Sequence, residues 1–342
     1  MRSLTIRCPS PIPMIHASTL FQNLEELSLT ITSFTPVPAA VLRHWSALRR
    51  LKTISLVIPT FQWTIEWPTW ELCFENLESL SLSCPFTDAF MFLSIASFPM
   101  LSSFTFNLIL PQFPDLQVYP WAGILQTLRS NTSPCFQELV IGLWDDRTPE
   151  TRLRNTRFTA SHPTVPFSDL EATLLDFNLS RFCTYFPLLQ PLTLEDVVNM
   201  RDAWPEIESL VIGMPEIYEA KLDLNVLQVL SDERCESLET LELTVNAALV
   251  PRPKKTRSTH RLGCLKLNLE NWNDTFENRC SLASYIDSLF PYIHFVSSNG
   301  EELEGVKGII DALQMGRRRE RRHNDIAEAE DSDEDHELSD LD

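Results

Sequence analysis

The feature that most constrains this chain is a short apolar pattern that recurs along most of its length. If the first apolar residue of a segment is position 0, further apolar residues follow at +3, +5 and +7. Nine segments supply 36 such positions, of which 35 are apolar, whereas the 44% hydrophobic composition predicts about 16 by chance. The segments are Leu24/Leu27/Leu29/Ile31, Leu51/Ile54/Leu56/Ile58, Leu77/Leu80/Leu82/Cys84, Leu101/Phe104/Phe106/Leu108, Phe136/Leu139/Ile141/Leu143, Leu179/Phe182/Thr184/Phe186, Ile207/Leu210/Ile212/Met214, Leu238/Leu241/Leu243/Val245 and Leu262/Leu265/Leu267/Leu269. The alternation of apolar residues from +3 to +7 predicts a short strand with one buried face. Neighbouring repeats would supply the strands on either side of it, so we expect a repeat solenoid.

The spacing of the segments narrows the kind of solenoid. Their starts are 24 to 43 residues apart, and most intervals lie near the 20 to 29 residues of leucine-rich repeats. Met1, Leu4, Ile6 and Cys8 fit the same template and predict a strand at the start of this sequence. The longest gap contains a polar loop at residues 145–166, which we expect to be an insertion.

Helical patterns fill the intervals between the strands. Thr87 or Asp88 is a candidate cap for one helix, Ser168 with Glu171 forms a possible capping box, and Thr193 precedes a third helix. The expected unit is strand, turn, helix, turn. Because parallel crossovers are right-handed, the chain is predicted to be an α/β leucine-rich-repeat solenoid with a curved parallel sheet and helices on its convex side.

These patterns predict three regions. Residues 1–300 would form the solenoid, with nine to ten irregular repeats that end in a helix at 281–289 and a strand at 290–296. Residues 301–316 would form a C-terminal helix. Residues 317–342 are predicted to be a disordered charged tail, because positions 325–342 hold ten carboxylates and no Lys or Arg.

Net charge, the one long apolar run and the cysteine pattern argue against several classes of protein. A formal charge of −19 argues against general binding of nucleic acid or anionic membrane. The apolar run at residues 89–110 is long enough to span a bilayer, but Pro99 interrupts it and its halves match a repeat helix and strand. The eight cysteines contain no Cys-x-x-Cys pair, which favours a reduced, intracellular setting, cytoplasmic or nuclear.

The candidate binding site is the row of side chains at +4, which points away from the buried face of each strand. These positions are mostly small and uncharged, so they could let a partner's backbone approach closely, or the sheet could simply tolerate small residues there. The predicted partner-binding residues are Ser28, Ser55, Ser81, Thr105, Val140, Glu242 and Lys266, and Cys183 and Val211 occupy the same row.

Other features each allow two interpretations. Trp63, Trp67 and Trp70 could anchor a partner or pack on the convex layer. The basic loop at residues 251–261 could be a nuclear-import signal, a phosphate contact or a solvated loop. The acidic run at 325–342 could fold back on that loop or merely aid solubility.

Some stretches resemble a known family. They are Phe-Ser-Asp-Leu-Glu at 167–171, Leu-Thr-Leu-Glu-Asp at 192–196, Trp-Pro-Glu-Ile-Glu-Ser-Leu-Val-Ile-Gly at 204–213 and Leu-Phe-Pro-Tyr-Ile at 289–293. Residues 1–296 resemble the leucine-rich-repeat region of fungal F-box-type proteins. The resemblance implies a substrate-recognition module of a cullin-RING ubiquitin ligase, with ligase subunits and a client protein as partners. No Leu-Pro-x-Glu-like F-box helix is found in the sequence, so the adaptor-docking part of that family is missing here.

The sequence carries no signature of catalysis. It lacks the Gly-rich phosphate loops, His-Glu-x-x-His and Gly-x-Ser-x-Gly, and His260 with Cys264 is too little for a zinc site. We therefore expect a non-catalytic protein-binding scaffold without cofactor or metal. The alternative is a leucine-rich-repeat regulator of a small GTPase. Such regulators have regular repeats with an asparagine after each strand, and the lack of a regular asparagine at +8 makes this alternative less favoured.

Overall fold

The computed structural model describes residues 1–8, 21–31, 36–38, 40–63, 71–109, 120–143, 165–184, 189–213, 220–253, 260–298 and 301–334. It divides the chain into two compact units, Met1–Lys221 and Leu222–Asp342. This division falls within the region 1–300 that we expected to form one array. Each unit has the predicted α/β leucine-rich-repeat-like arrangement, in which short parallel strands alternate with helices.

The first unit is built on eight parallel strands that are adjacent in chain order, apart from four two-residue strands in the connections. The eight are β1 (Ser3–Cys8), β2 (Glu26–Ile31), β4 (Thr53–Val57), β7 (Ser79–Cys84), β9 (Ser103–Leu108), β10 (Glu138–Leu143), β11 (Arg181–Thr184) and β12 (Ser209–Ile212). The short strands form two pairs of their own, β3 (Val37–Pro38) with β5 (Phe61–Gln62) and β6 (Leu72–Cys73) with β8 (Ala96–Ser97).

The register of these strands is the one that the apolar template predicts. Each +3 residue is the Cα partner of the +3 residue in the next strand, through Leu27, Ile54, Leu80, Phe104, Leu139, Phe182 and Leu210. All seven are at most 3% exposed. The one polar residue of the template, Thr184, is buried as well. Phe186 and Met214 lie outside the described residues.

Helices connect several strands, and aromatic side chains fill the space beneath the sheet. The helices of this unit are α1 (Ala40–Ser46), α2 (Phe86–Ile95), α3 (Trp121–Asn131), α4 (Phe167–Leu174) and α5 (Leu194–Ala203). Phe74 stacks on Phe98 at a ring-centroid distance of 5.5 Å, and Phe92 meets Phe98 edge-on at 5.8 Å. The apolar run at 89–110 is thus repeat core, divided between α2 and β9. Among the described helices, none is long and apolar enough to cross a membrane.

Two of the predicted helix caps are wrong, and one is confirmed. Thr87 and Asp88 lie inside α2, and Ser168 lies inside α4, because each helix begins directly after a proline, Pro85 or Pro166. Proline already fixes its φ near the helical value, so the backbone can enter a helix without a side-chain cap. Thr193 does cap α5, where its side chain and that of Asp196 form a capping box.

The second unit contains three parallel strands and a short antiparallel one. The strands are β13 (Thr240–Asn246), β14 (Cys264–Glu270), β15 (Phe295–Ser298) and β16 (Glu301–Glu302), and β16 pairs antiparallel with β15. The helices are α6 (Val226–Leu230), α7 (Phe276–Leu289) and α8 (Glu304–Glu334), with a 3₁₀ turn at Glu233–Cys235. Helix α7 begins at Phe276, after its cap Thr275, which is five residues earlier than the predicted start at 281. Strand β15 begins at Phe295 and not at the predicted 290, because a turn at Pro291 separates it from α7.

The predicted end of the C-terminal helix is also wrong. Helix α8 continues to Glu334, so residues 317–334, which we expected to be disordered, are helical. After Gly316 the sequence contains no Gly or Pro that would stop a helix, and Arg and Glu favour helix. Arg317 also contacts the rest of the unit: it donates to both carboxylate oxygens of Asp287, which is buried, and to the carbonyl of Pro291. Residues 335–342 of the predicted tail lie outside the described residues.

Candidate protein-binding face

The predicted row at +4 is aligned by the strand register within each unit. In the first unit the Cα partners run in order through Thr5, Ser28, Ser55, Ser81, Thr105, Val140, Cys183 and Val211. In the second unit Glu242, Lys266 and Ser297 are partners in the same way. The sequence pattern therefore predicted which residues share a row.

Five neighbouring hydroxyls form the polar part of this row in the first unit, of which Thr5 is exposed and the other four are half-buried. Ser28, Ser55, Ser81 and Thr105 are half-buried, on strands that lie side by side. Neighbouring strands are about 4.8 Å apart, so the hydroxyls follow one another at about that distance. Within the part of the chain that the structure describes, none of the side-chain hydroxyls of these four residues makes a hydrogen bond. We call these four residues the hydroxyl row.

Polar contacts beside the hydroxyl row were not predicted. At +2, Ser103 Oγ donates to Glu138 Oε2 at 2.9 Å. At +6, Asn107 Nδ2 donates to Ser83 Oγ at 3.3 Å, and a Cβ added to Gly142 would lie 2.7 Å from Asn107 Oδ1. Gly142 is thus the small residue that makes room for the Asn107 side chain. Aligning the +2 and +6 positions of adjacent strands, as we did for +4, would have identified these pairs of neighbouring residues.

The row is not open along its whole length. Val140 is half-buried, but Cys183 is 0% exposed and Val211 is 4% exposed. The expectation that Cys183 and Val211 point to solvent is therefore wrong. Both are apolar, and as buried side chains they belong to the core at strands β11 and β12. The accessible part of this row in the first unit therefore consists of Thr5, the hydroxyl row and Val140.

The two predicted residues of the second unit bind each other. Lys266 Nζ lies 3.5 Å from Glu242 Oε2, across adjacent strands. The neighbouring Cys264 thiol has a raised pKa because it is partly desolvated, which the charge of Lys266 only partly offsets. At +6, Asn268 Nδ2 donates to Thr244 Oγ1 at 3.3 Å, the same arrangement as Asn107 with Ser83. This face offers an ion pair rather than a row of hydroxyls without hydrogen bonds.

Asp88 is a buried carboxylate whose role the sequence did not reveal. It is 4% exposed and accepts hydrogen bonds from the Phe61 backbone N–H at 3.1 Å and from Trp63 Nε1 at 2.7 Å. Desolvation raises the pKa of this carboxyl, while the bonds from Trp63 and Phe61 act in the opposite direction. Trp63 is therefore fixed against α2, on the helix layer. Trp67 and Trp70 lie outside the described residues.

His260, which with Cys264 was considered as a zinc site, lies in the interior of the second unit. His260 is buried, its Nδ1 accepts the Leu262 N–H at 3.1 Å, and its ring meets Phe290 edge-on at 5.2 Å. Burial lowers the pKa of this imidazole. Among the described residues no group of three His, Cys, Asp or Glu is placed to hold a metal ion. All eight cysteines lie in described residues, and none of them forms a disulfide.

No protein-family model matches the chain. A search of curated proteins also finds no match.

Proposed function

We propose that this chain is a non-catalytic scaffold that binds another protein on the sheet face of its first unit. The observation that carries the proposal is the hydroxyl row, in which four adjacent side chains make no hydrogen bond to the described parts of the chain. Hydroxyls both donate and accept, so a row of them can serve a polypeptide that lies across the strands. The small size of Ser and Thr would allow the partner's backbone to approach closely.

The resemblance to fungal F-box-type proteins suggests a more specific role. On that basis the chain is proposed to recognise a client protein in the manner of a ubiquitin-ligase substrate receptor. It is also proposed not to dock on the ligase adaptor, because the apolar side of α1, its best candidate for a docking helix, is already buried within the first unit. In α1, Val41, Leu42 and Trp45 are each at most 2% exposed.

The face can be tested by affinity capture with paired variants. Ser55→Arg with Ser81→Arg would place two long charged side chains in the hydroxyl row, whereas Gln126→Arg adds a charge on the exposed side of α3. The wild type and Gln126→Arg should capture the same client, and the double variant should lose it. Equal capture by all three proteins would refute binding at this face.

Calorimetric titration with a Skp-type adaptor tests the ligase connection. We expect no measurable heat of binding. Binding at about micromolar affinity or tighter would show that a docking helix exists and would make the chain a complete ligase receptor. Acceleration of GTP hydrolysis by a small GTPase would instead favour the regulator alternative.

A further inference from the structure

Helix α8 extends well past the point where Arg317 fixes it to the rest of the second unit. Arg317 bonds to the buried carboxylate of Asp287, whereas the next three residues, 318–320, are exposed. The helix continues to Glu334, which at 1.5 Å per residue lies about 26 Å beyond Arg317. We call residues 318–334 the charged segment.

The charged segment contains two blocks of opposite charge. The basic block comes first and consists of Arg318, Arg319, Arg321 and Arg322. The acidic block follows and consists of Asp325, Glu328, Glu330, Asp331, Asp333 and Glu334. Ile326 is the one Leu, Ile or Val in the segment, so the burial of apolar residues offers little to hold this part of the helix.

This order of charges does not stabilise a single helix. The helix dipole favours cations at the C-terminal end, but the last turn of α8 contains the acidic residues Asp331 and Glu334. Residues three or four positions apart are neighbours on a helix, and most charged pairs at that spacing are alike, for example Arg318 with Arg322 and Glu330 with Glu334. A helix over these residues therefore favours a source of opposite charge outside the helix itself.

A second copy of the charged segment, running antiparallel, would supply that charge. If Ile326 lies opposite Ile326 of the other copy, no two residues of like charge are opposite each other. A shift of one residue in either direction would instead place Glu320 opposite Asp331 or Asp333. With Ile326 at the centre, four arginines lie opposite four carboxylates, in the pairs Arg318 with Glu334, Arg319 with Asp333, Arg321 with Asp331 and Arg322 with Glu330.

Two of these pairs share one side of the helix with Ile326. Positions four and seven residues apart lie on the same side of an α-helix, so 319, 322, 330 and 333 lie on the side of 326. That side has two arginines before the isoleucine and two carboxylates after it. Opposite charges that meet across paired helices set the choice of partner and its orientation.

We propose that residues 318–334 of two copies of this chain pair as antiparallel helices, with Ile326 at the two-fold axis. The contact is isologous, so each pair of opposite charges occurs twice. Exposed ion pairs each contribute little, and we therefore expect a weak dimer that forms at about 10–100 μM protein. This contact is separate from the hydroxyl row and does not depend on the function proposed there.

Cysteine cross-linking tests the direction and the register of the pair. In Ile326→Cys the two new thiols would lie opposite each other, so oxidation should produce a covalent dimer on a non-reducing gel. In Ser332→Cys the two new thiols would be twelve residues apart along the helices, about 18 Å, which is too far for a disulfide. The wild type measures cross-linking through the eight native cysteines. Ser332→Cys that cross-links as strongly as Ile326→Cys would indicate parallel helices and would overturn the proposal.

Sedimentation of charge-exchange variants tests whether the charges select the partner. Arg322→Glu would place a second carboxylate opposite Glu330 of the other copy and should weaken dimerisation by about tenfold. Adding Glu330→Arg to that variant should restore dimerisation, because opposite charges then meet again. Positions 322 and 330 are too far apart in one helix to interact directly. Arg252→Glu, which changes the net charge equally at another exposed position, should alter dimerisation by less than about twofold.

The dimer should also weaken when salt is raised from about 0.15 M to about 1 M, because the screening length falls from about 8 Å to about 3 Å. Three results would overturn the proposal. They are a wild type that is monomeric up to about 500 μM, Ile326→Cys that cross-links no more than the wild type, and a double variant that remains as weak as Arg322→Glu. The first result would leave the charged segment to another partner, such as the basic loop at 251–261.

Discussion

Replacing Leu80 with aspartate should destabilise the first unit far more than the same replacement at its neighbour Ser81. Leu80 is 0% exposed, between Ile54 and Phe104 on the adjacent strands. Losing a buried leucine side chain costs about 2–5 kcal/mol. The new carboxyl would be buried without a designed partner, which adds at least about 1 kcal/mol even if it takes up a proton. The total for Leu80→Asp is therefore on the order of 3 kcal/mol or more.

Ser81→Asp should cost less than about 1 kcal/mol, because the half-buried side chain points to the hydroxyl row, where water reaches it and hydroxyls can donate to it. Urea unfolding followed by far-ultraviolet circular dichroism measures both losses under one condition. The two variants should differ by about 2 kcal/mol or more in the free energy of unfolding. Similar losses would refute the register, since a shift of one residue exchanges the two faces of the strand.

Three further substitutions test contacts that the sequence did not reveal. Asp88→Asn should gain stability relative to the wild type as the pH rises above about 3.8, because the pKa of the Asp88 carboxyl is raised in the folded state and its ionisation therefore favours the unfolded chain. Urea unfolding from pH 3.5 to 7 measures the difference between the two proteins, and a difference that does not change with pH would contradict the prediction. Arg317→Ala should lower the free energy of unfolding by about 2–4 kcal/mol, because it leaves the buried carboxylate of Asp287 without its partner. Arg318→Ala, at an exposed position, should lower it by under about 0.5 kcal/mol, and hydrogen exchange in residues 304–316 would show the difference. Burial raises the pKa of Tyr285 to about 12, so its contribution to stability should be lost as the pH rises from about 10 to 12. The difference between the ultraviolet titrations of the wild type and Tyr285→Phe measures its ionisation, and a difference that is complete by about pH 10 would refute this.

The strands could be predicted accurately because their signal is strictly local. A period of two makes Leu80 buried and Ser81 outward, and the repeat then aligns Ser81 with Ser55 and Thr105 without further information. The helix starts were harder, since we looked for Ser, Thr or Asp caps. Helix α3, like α2 and α4, begins directly after a proline, here Pro120. Proline before an apolar helical run was the signal available in this sequence.

Contacts between distant residues explain the remaining differences. Arg317 belongs to a charged run that composition alone assigns to disorder, but it meets Asp287 thirty residues earlier in the chain. Asp88 was considered as a cap, yet its donors lie on the segment of Phe61 and Trp63. Likewise, Cys183 and Val211 occupy outward positions of the repeat but are buried. A repeat pattern specifies the register of each strand, but it does not specify what covers the strand.

Salt dependence should test the face proposed for the first unit. Among the +2, +4 and +6 positions on the eight strands of the first unit, the charged residues are Arg7, Glu26, Glu138 and Arg181, which sum to zero. A partner on this face would release few ions, so the affinity of a captured client should change by less than about threefold between 50 and 500 mM salt. A client whose affinity falls by about tenfold or more over the same range would show that charge rather than the hydroxyl row selects it.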